Sequence, residues 1–306
     1  MNNIFQNTNA YWAKYSEYEY CKGTDGLLYI MAVPDAKPSV YDPMKIADAL
    51  VVDALNVGRL AMKQTKKKAL KNAVMDFVTK YGLLGFMPAL PTTSDFVNYD
   101  AVYLPKNKFI KAETMNTQDY LAYYFPFNKP DIHKGETQSR WDVSSADYSR
   151  EVLALAGTFM YEPFPVGMSL LPIYAERFDW LISQFQDWAF MLVSTFLFYE
   201  EKDRLDDNTK SLFRQSVPAF GEKAPTYHIA LYDDKPKIVW DFHSLLLTIQ
   251  TLIGFALTDE DNPLRICKHC SMAFIAKHPE ALYCNEKCKN QYNVYKSRRK
   301  KRGYDV

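Results

Sequence analysis

The chain has 306 residues, with 37 Lys/Arg against 36 Asp/Glu and a formal net charge of +1. Hydrophobic residues make up 48% and aromatics 15%, which excludes a disordered chain. The longest nearly apolar run, Trp188 to Tyr199, falls well short of the ~20 residues that cross a bilayer, so no membrane-spanning helix is expected.

Met1 to Asn7 has neither a positive start nor an apolar run, so no secretory signal is expected. Tyr18–Cys21 and Leu27–Val33 flank Lys22-Gly23-Thr24-Asp25-Gly26, a turn between two short strands. The many tyrosines here read as packing residues. Asp42-Pro43 looks like a helix N-cap with proline at the first helical position. The apolar spacing of Ile46, Leu50, Ala54, Val57 and Ala61 continues that helix. A second helix carries Leu70, Val74, Phe77, Val78 and Tyr81, with Gly82 placed to end it. The lysines between Lys63 and Lys71 read either as a solvated helix face or as a nucleic-acid contact. Three consecutive residues point around a helix rather than onto one ligand, which favours the first.

Prolines punctuate residues 83–140, where Ala101–Leu104 and Phe109–Lys111 are expected to pair as a hairpin and Phe127–Gly135 to form an exposed loop. A helix is predicted from Ser145 to about Met160, and a longer one from Pro172 to Tyr199. The second half of that longer helix is apolar nearly all round and therefore expected to be buried on most sides. A short helix up to Val217, a hairpin of Tyr227–Tyr232 with Ile238–Phe242, and a helix over Ser244–Leu257 follow. The expected fold is mainly α with small β-hairpins (α+β), in three parts. Residues 1–140 form a mixed N-terminal region packed on the body, 141–260 a helical body, and 263–302 a small finger behind an acidic hinge at Asp259–Asp261.

Four of the five cysteines fall in this last part, as Cys267-x-x-Cys270 and Cys284-x-x-x-Cys288. Two close pairs of thiolates are the donor set of a tetrahedral zinc ion, with Zn–S distances of about 2.3 Å. A disulfide pair is the rival reading, but two cysteines one helical turn apart make a poor bridge, and it does not explain two pairs together. Four cysteines close the tetrahedron, leaving no position for water or substrate. One structural Zn2+ is therefore expected, with Lys268, Lys277, Lys287 and Lys289 near enough to offset its formal charge of −2. Metal-bound thiols with a single further cysteine, Cys21, fit a reducing, cytoplasmic setting.

Eight Lys/Arg and no Asp/Glu lie between Lys287 and Arg302, so the rest of the chain carries −7. Lys289, Asn293, Lys296 and Lys300 form one stripe of a helix there, and Arg298, Arg299, Lys301 and Arg302 fan out beyond it. Tyr292 and Tyr295, four and seven residues after Cys288, share the metal-side face and are expected to pack. A polybasic helix end suits phosphate contacts, with DNA or RNA as partner. A basic tail meeting an acidic protein is the alternative.

Residues 264–302 resemble a treble-clef zinc finger. More particularly they are similar to the CGNR-type finger of bacterial proteins with an ABATE-type helical domain. In that family an aromatic-Cys pair is followed by Cys-Gly-Asn-Arg and a basic helix. Here Tyr283-Cys284 is followed by Cys288-Lys289-Asn290-Gln291, so Asn290 matches while Lys289 and Gln291 depart. The resemblance implies a DNA-binding or regulatory role. Treble clefs also occur in nucleases, but His278 has no second histidine after Cys288. The chain also has no nucleophile elbow, phosphate-binding glycine loop or HExxH, so no catalytic residue is nominated.

Overall fold

The structure, a computed structural model, describes residues 7–63, 66–87, 101–103, 108–128, 168–201, 203–216, 224–261, 263–278 and 280–301. Among them helices alternate with small, mostly antiparallel sheets, the expected α+β arrangement.

The first strands are β1 (Thr8–Asn9), β2 (Trp12–Tyr15), β3 (Tyr18–Lys22), β4 (Leu28–Ala32) and β5 (Pro38–Tyr41). β3 and β4 pair across the predicted turn, and β2 pairs with β5. Tyr11 is exposed, whereas Tyr15, Tyr18 and Tyr29 are buried, as packing tyrosines require, and so is Trp12. Their polar ends are satisfied: Trp12 Nε1 donates to Leu83 O at 2.9 Å and the Tyr15 hydroxyl to Leu170 O at 2.8 Å.

Asp42 Oδ1 accepts the Met44 N–H, and Pro43 opens a 3-10 turn (Pro43–Ile46) that runs into α1 (Ala47–Met62). α2 (Lys67–Tyr81) stops at Gly82, which holds φ 92. Lys66, Lys67 and Lys68 are all exposed. β6 (Ala101–Tyr103) pairs with β7 (Thr114–Asn116) rather than with Phe109–Lys111. Phe109 stacks on Trp180 at 4.9 Å and Ile110 is buried, so that stretch is drawn into the core instead of a ladder. α3 (Thr117–Tyr124) follows, with Asn116 as its cap. The helix expected over Ser145–Met160, and the expected loop beyond Asn128, lie outside the described residues.

The long helix expected from Pro172 begins later. Residues Ala175–Arg177 form β8, which extends the β3–β4 sheet, and α4 runs over Phe178–Glu201. The reason lies at Glu176, which is 1% exposed. Its carboxylate accepts the N–H groups of Leu84, Gly85 and Phe86 at 2.9, 2.6 and 3.0 Å and the Tyr174 hydroxyl at 2.8 Å. An extended backbone at Glu176 aims the side chain into that nest of donors. Burial pushes its carboxyl up to about 6, although all four donors pull the other way.

α4 buries Leu181, Phe185, Trp188, Ala189 and Leu192, but its second half is not enclosed. Phe190 is 63% exposed because it points away from the face that buries Phe185, Ala189 and Leu192, and Leu197 is 50% exposed where the helix has passed its last buried residue. Beyond Leu192 the helix meets α5 (Asp207–Ser216), where Phe198 packs on Phe213 at 5.5 Å.

β9 (Thr226–Tyr232) and β10 (Lys235–Asp241) make the expected hairpin through Asp233 and Asp234, both at positive φ, and β1 joins β10 in parallel. Buried Asp241 is held there by Asn9 Nδ2 at 3.1 Å and by His228 Nδ1 at 2.5 Å. α6 (Leu245–Thr258) is capped by Ser244, whose Oγ accepts the Leu247 N–H. The last elements are β11 (Leu264–Ile266), β12 (Ala273–Ile275) and α7 (Glu286–Lys301).

One core joins β2, β4, α1, α2, α3, α4 and α6, and it includes Leu264 and Ala273 from the C-terminal hairpin. At its centre α1 crosses α4 at Gly58, where a Cβ would lie 1.9 Å from Phe185 O and 2.7 Å from Ala189 Cβ. Gly58→Ala is expected to destabilise the protein by about 3 kcal/mol, because backbone cannot yield as a side chain can. Urea unfolding of the two proteins measures it.

A second expectation concerns pH. Between the ordinary value of 4.5 and about 6, folded Glu176 keeps a proton that the unfolded chain has released. Its contribution to stability is therefore complete below 4.5 and lost as pH rises through about 6, a loss of about 2 kcal/mol. Glu176→Gln removes this slope in unfolding free energy between pH 4.5 and 7.

Candidate metal centre

The two cysteine pairs reach the centre from different local structures. β11 and β12 pair antiparallel, and Cys267–Cys270 lies in the turn between them. That turn is closed by Cys267 N–H to Met272 O at 2.9 Å and Ser271 N–H to Cys267 O at 2.8 Å, with Ser271 at φ 60. Cys284 precedes α7 and Cys288 stands in its first turn. Asn285 caps this helix: its Oδ1 accepts the Cys288 N–H at 2.8 Å, while its Nδ2 donates to Cys284 Sγ at 3.4 Å.

All four sulfurs lie within 4.8 Å of one another, with Cys270–Cys284 at 3.8 Å and Cys284–Cys288 at 3.5 Å. A regular tetrahedron with arms of about 2.3 Å has edges of about 3.8 Å. The sulfur spacing therefore fits a four-thiolate cation site, and the cluster can hold a metal ion.

The electrostatics agree with that donor set. Burial resists ionisation of Cys267, but N–H donation from Cys270, Cys284 and His269 outweighs it and lowers the thiol to about 7. Burial, and then the neighbouring thiols Cys288, Cys267 and Cys270, push Cys284 far above its ordinary value. At Cys288 the hydrogen bond from Cys284 acts downward, but burial and the charges of Cys270 and Cys267 prevail and raise it. One thiolate is prepared by the backbone, and further ionisation is opposed by its neighbours. A divalent cation removes that opposition.

Three residues at and beside α1, which the cysteine spacing did not point to, complete the surroundings. Asn56 on α1 donates through Nδ2 to Ala273 O at 3.2 Å and accepts the Ala273 N–H through Oδ1 at 2.7 Å. Arg59 Nε donates to Ser271 O at 2.5 Å, and Lys63 Nζ to Cys270 O at 3.5 Å. Lys268, Lys277, Lys287 and Lys289, expected to offset the thiolate charge, are exposed. Asn285 was legible as an Asn directly before a helix. The α1 residues read in sequence only as a polar helix stripe, since their partners lie more than 200 residues away.

The basic residues are placed along α7. Lys289, Asn293, Lys296, Arg298 and Lys301 are exposed. Arg299 is half-buried, its guanidinium 5.9 Å from the Tyr295 ring centre. Lys300 belongs to the helix, and Arg302 lies outside the described residues. Tyr292 packs on Tyr283 at 5.3 Å as expected, but Tyr295 is 56% exposed. The finger's packing surface ends at Tyr283, and the helix runs on past it. His278 is exposed and stands outside the cysteine cluster. No described helix is long and apolar enough to cross a membrane.

No family model matches the chain, and no curated protein or solved structure matches it either. Of the resemblance to a treble-clef finger, the structure supports the cysteine cluster, which is consistent with a zinc finger and points to no particular family.

One zinc per chain is expected in native mass spectrometry. Cys267→Ser or Cys288→Ser should lose it, because each removes one of four donors from a closed set. Stripping the metal with a chelator should expose the amides of residues 280–301 to hydrogen exchange. Metal binding contributes about 10–16 kcal/mol in small modules of this kind, and few apolar contacts hold residues 280–301 otherwise.

Proposed function

We propose that the chain is a zinc-binding, cytoplasmic protein whose C-terminal treble-clef-like finger contacts nucleic acid through α7, in a DNA-binding or regulatory role. Cys267, Cys270, Cys284 and Cys288 are the zinc ligands, and the metal is structural. It anchors the first turn of α7 so that the helix stands out from the body with its basic residues available to phosphates.

The observation that carries this reading is the exposure of the helix. Over 16 residues, about 24 Å at 1.5 Å per residue, the only buried side chain among those described is Cys288. The acidic remainder of the chain leaves Lys289, Lys296, Arg298 and Lys301 uncovered. Solvated cations ranged along one helix release counterions from a polyanion, which gives affinity that falls steeply with salt.

Fluorescence anisotropy with duplex DNA, single-stranded DNA and RNA across a salt series tests it. Affinity at low salt should fall linearly on a log–log plot. The triple variant Lys296→Ala, Arg298→Ala, Lys301→Ala should weaken binding across sequences and reduce the slope by about 2–3. Absence of salt-dependent binding at low salt overturns the reading. A protein-interaction role is the second reading, favoured by Val294 and Tyr295, 51% and 56% exposed beside the basic residues. Under it, deleting residues 294–306 changes the oligomeric state while nucleic-acid affinity is absent throughout.

A further inference from the structure

We infer that the metal centre is shared between the finger and the main core, with Asn56, Arg59 and Lys63 at and beside α1 supporting its turn, so that metal occupancy sets the stability of that core. This rests on the reading of the four cysteines as a metal site and goes beyond it, since a finger of this size is ordinarily treated as a separable appendage.

Three features converge. Residues 56, 59 and 63 are spaced 3 and 4 apart, so they project from one face of α1. All three end on consecutive or near-consecutive backbone positions of the cysteine turn. Asn56 takes both polar groups of Ala273 as a neighbouring strand would, Arg59 holds Ser271 O, and Lys63 reaches Cys270 O. The charges also match: a divalent cation with four thiolates carries a formal −2, and Arg59 and Lys63 bring +2 to the turn that bears Cys270. Groups that hydrogen-bond a ligand directly are typically worth 10–100-fold in metal affinity; these three act through the backbone of the turn, so the lower end of that range is expected.

The other faces of the same elements are already committed to the core. Leu264 and Ala273 of the hairpin belong to it, and α1 at Gly58 is pressed against α4. A shift of the cysteine turn on metal loss therefore has no slack before it reaches α1. Arg59 and Asn56 act through the turn, and are positioning residues rather than ligands.

Tryptophan provides a clean reporter, because all five tryptophans precede residue 241 and none lies in the finger. Thermal unfolding of the full chain, followed by tryptophan fluorescence, is compared between the zinc-loaded and chelator-stripped forms. The stripped form should unfold at least 5 °C lower. A chain that binds one zinc but shows equal midpoints overturns the coupling and leaves the metal reading intact. A chain that binds no zinc overturns the metal reading itself.

Cobalt titration then tests the support of the turn. Arg59→Gln and Asn56→Ala should lower Co2+ affinity about tenfold or more with the tetrathiolate absorption bands retained, and Arg59→Lys should recover part of the loss. In the stripped form, Arg59→Gln should unfold at the wild-type stripped midpoint. Unchanged cobalt affinity, or an equal drop in both forms, shows a merely structural role and overturns the assignment.

Discussion

Backbone contact between α1 and α4 at Gly58 sets the geometry on which the rest is assembled. With no side chain at that position the two helices approach until the Phe185 carbonyl fills the space a Cβ would need. Such an approach fixes the rotation of α1 about its own axis. One face, with Leu50, Ala54, Leu55 and Val57, then enters the core, and the face with Asn56, Arg59 and Lys63 turns to the C-terminal hairpin. A helix held this closely by backbone cannot rotate to rescue a misplaced polar stripe.

Polar groups carry as much of the architecture as apolar ones. The Glu176 carboxylate gathers three consecutive N–H groups from a loop about ninety residues away in the chain, and the hydroxyl of Tyr174 two residues before it. Asp241 similarly ties β1 to the β9–β10 hairpin through Asn9 and His228. Each of these carboxylates is buried, so the donors around it are a condition of the fold rather than an ornament of the surface. The aromatic residues fill the volume between such points, with Trp180 meeting Phe86, Phe109, Tyr123 and Tyr124.

Opposite constraints act at the cysteine cluster. Peptide N–H groups favour one thiolate at Cys267, while burial, together with the thiols of Cys267 and Cys270, opposes ionisation of Cys284 and Cys288. The Cys270–Cys284 and Cys284–Cys288 sulfurs lie 3.8 and 3.5 Å apart with no disulfide between them. Together the four can hold a cation. α7 takes its direction from this cluster, because Asn285 and Cys288 define its first turn, and Lys289, Lys296, Arg298 and Lys301 along it are exposed.

Local patterns were readable from the residues alone. The Cys267-x-x-Cys270 and Cys284-x-x-x-Cys288 spacing marked four thiols that fold together and can hold a metal ion, Asp42-Pro43, Gly82 and Ser244 marked helix ends, and the Asp233-Asp234 turn marked a hairpin. Each rests on interactions spanning only a few residues. What lay beyond reach involved distant partners: the strand at Ala175–Arg177 in place of a longer helix, the pairing of β6 with β7 while Phe109 turns inward, and the exposed end of α4. The same holds for the α1 face against the cysteine turn and for Tyr295, which left its packing face when the finger surface ran out. Periodicity determines which face of an element is apolar. Only the tertiary structure decides how far the core extends along it and which distant backbone its polar residues meet, because those contacts depend on where other elements end.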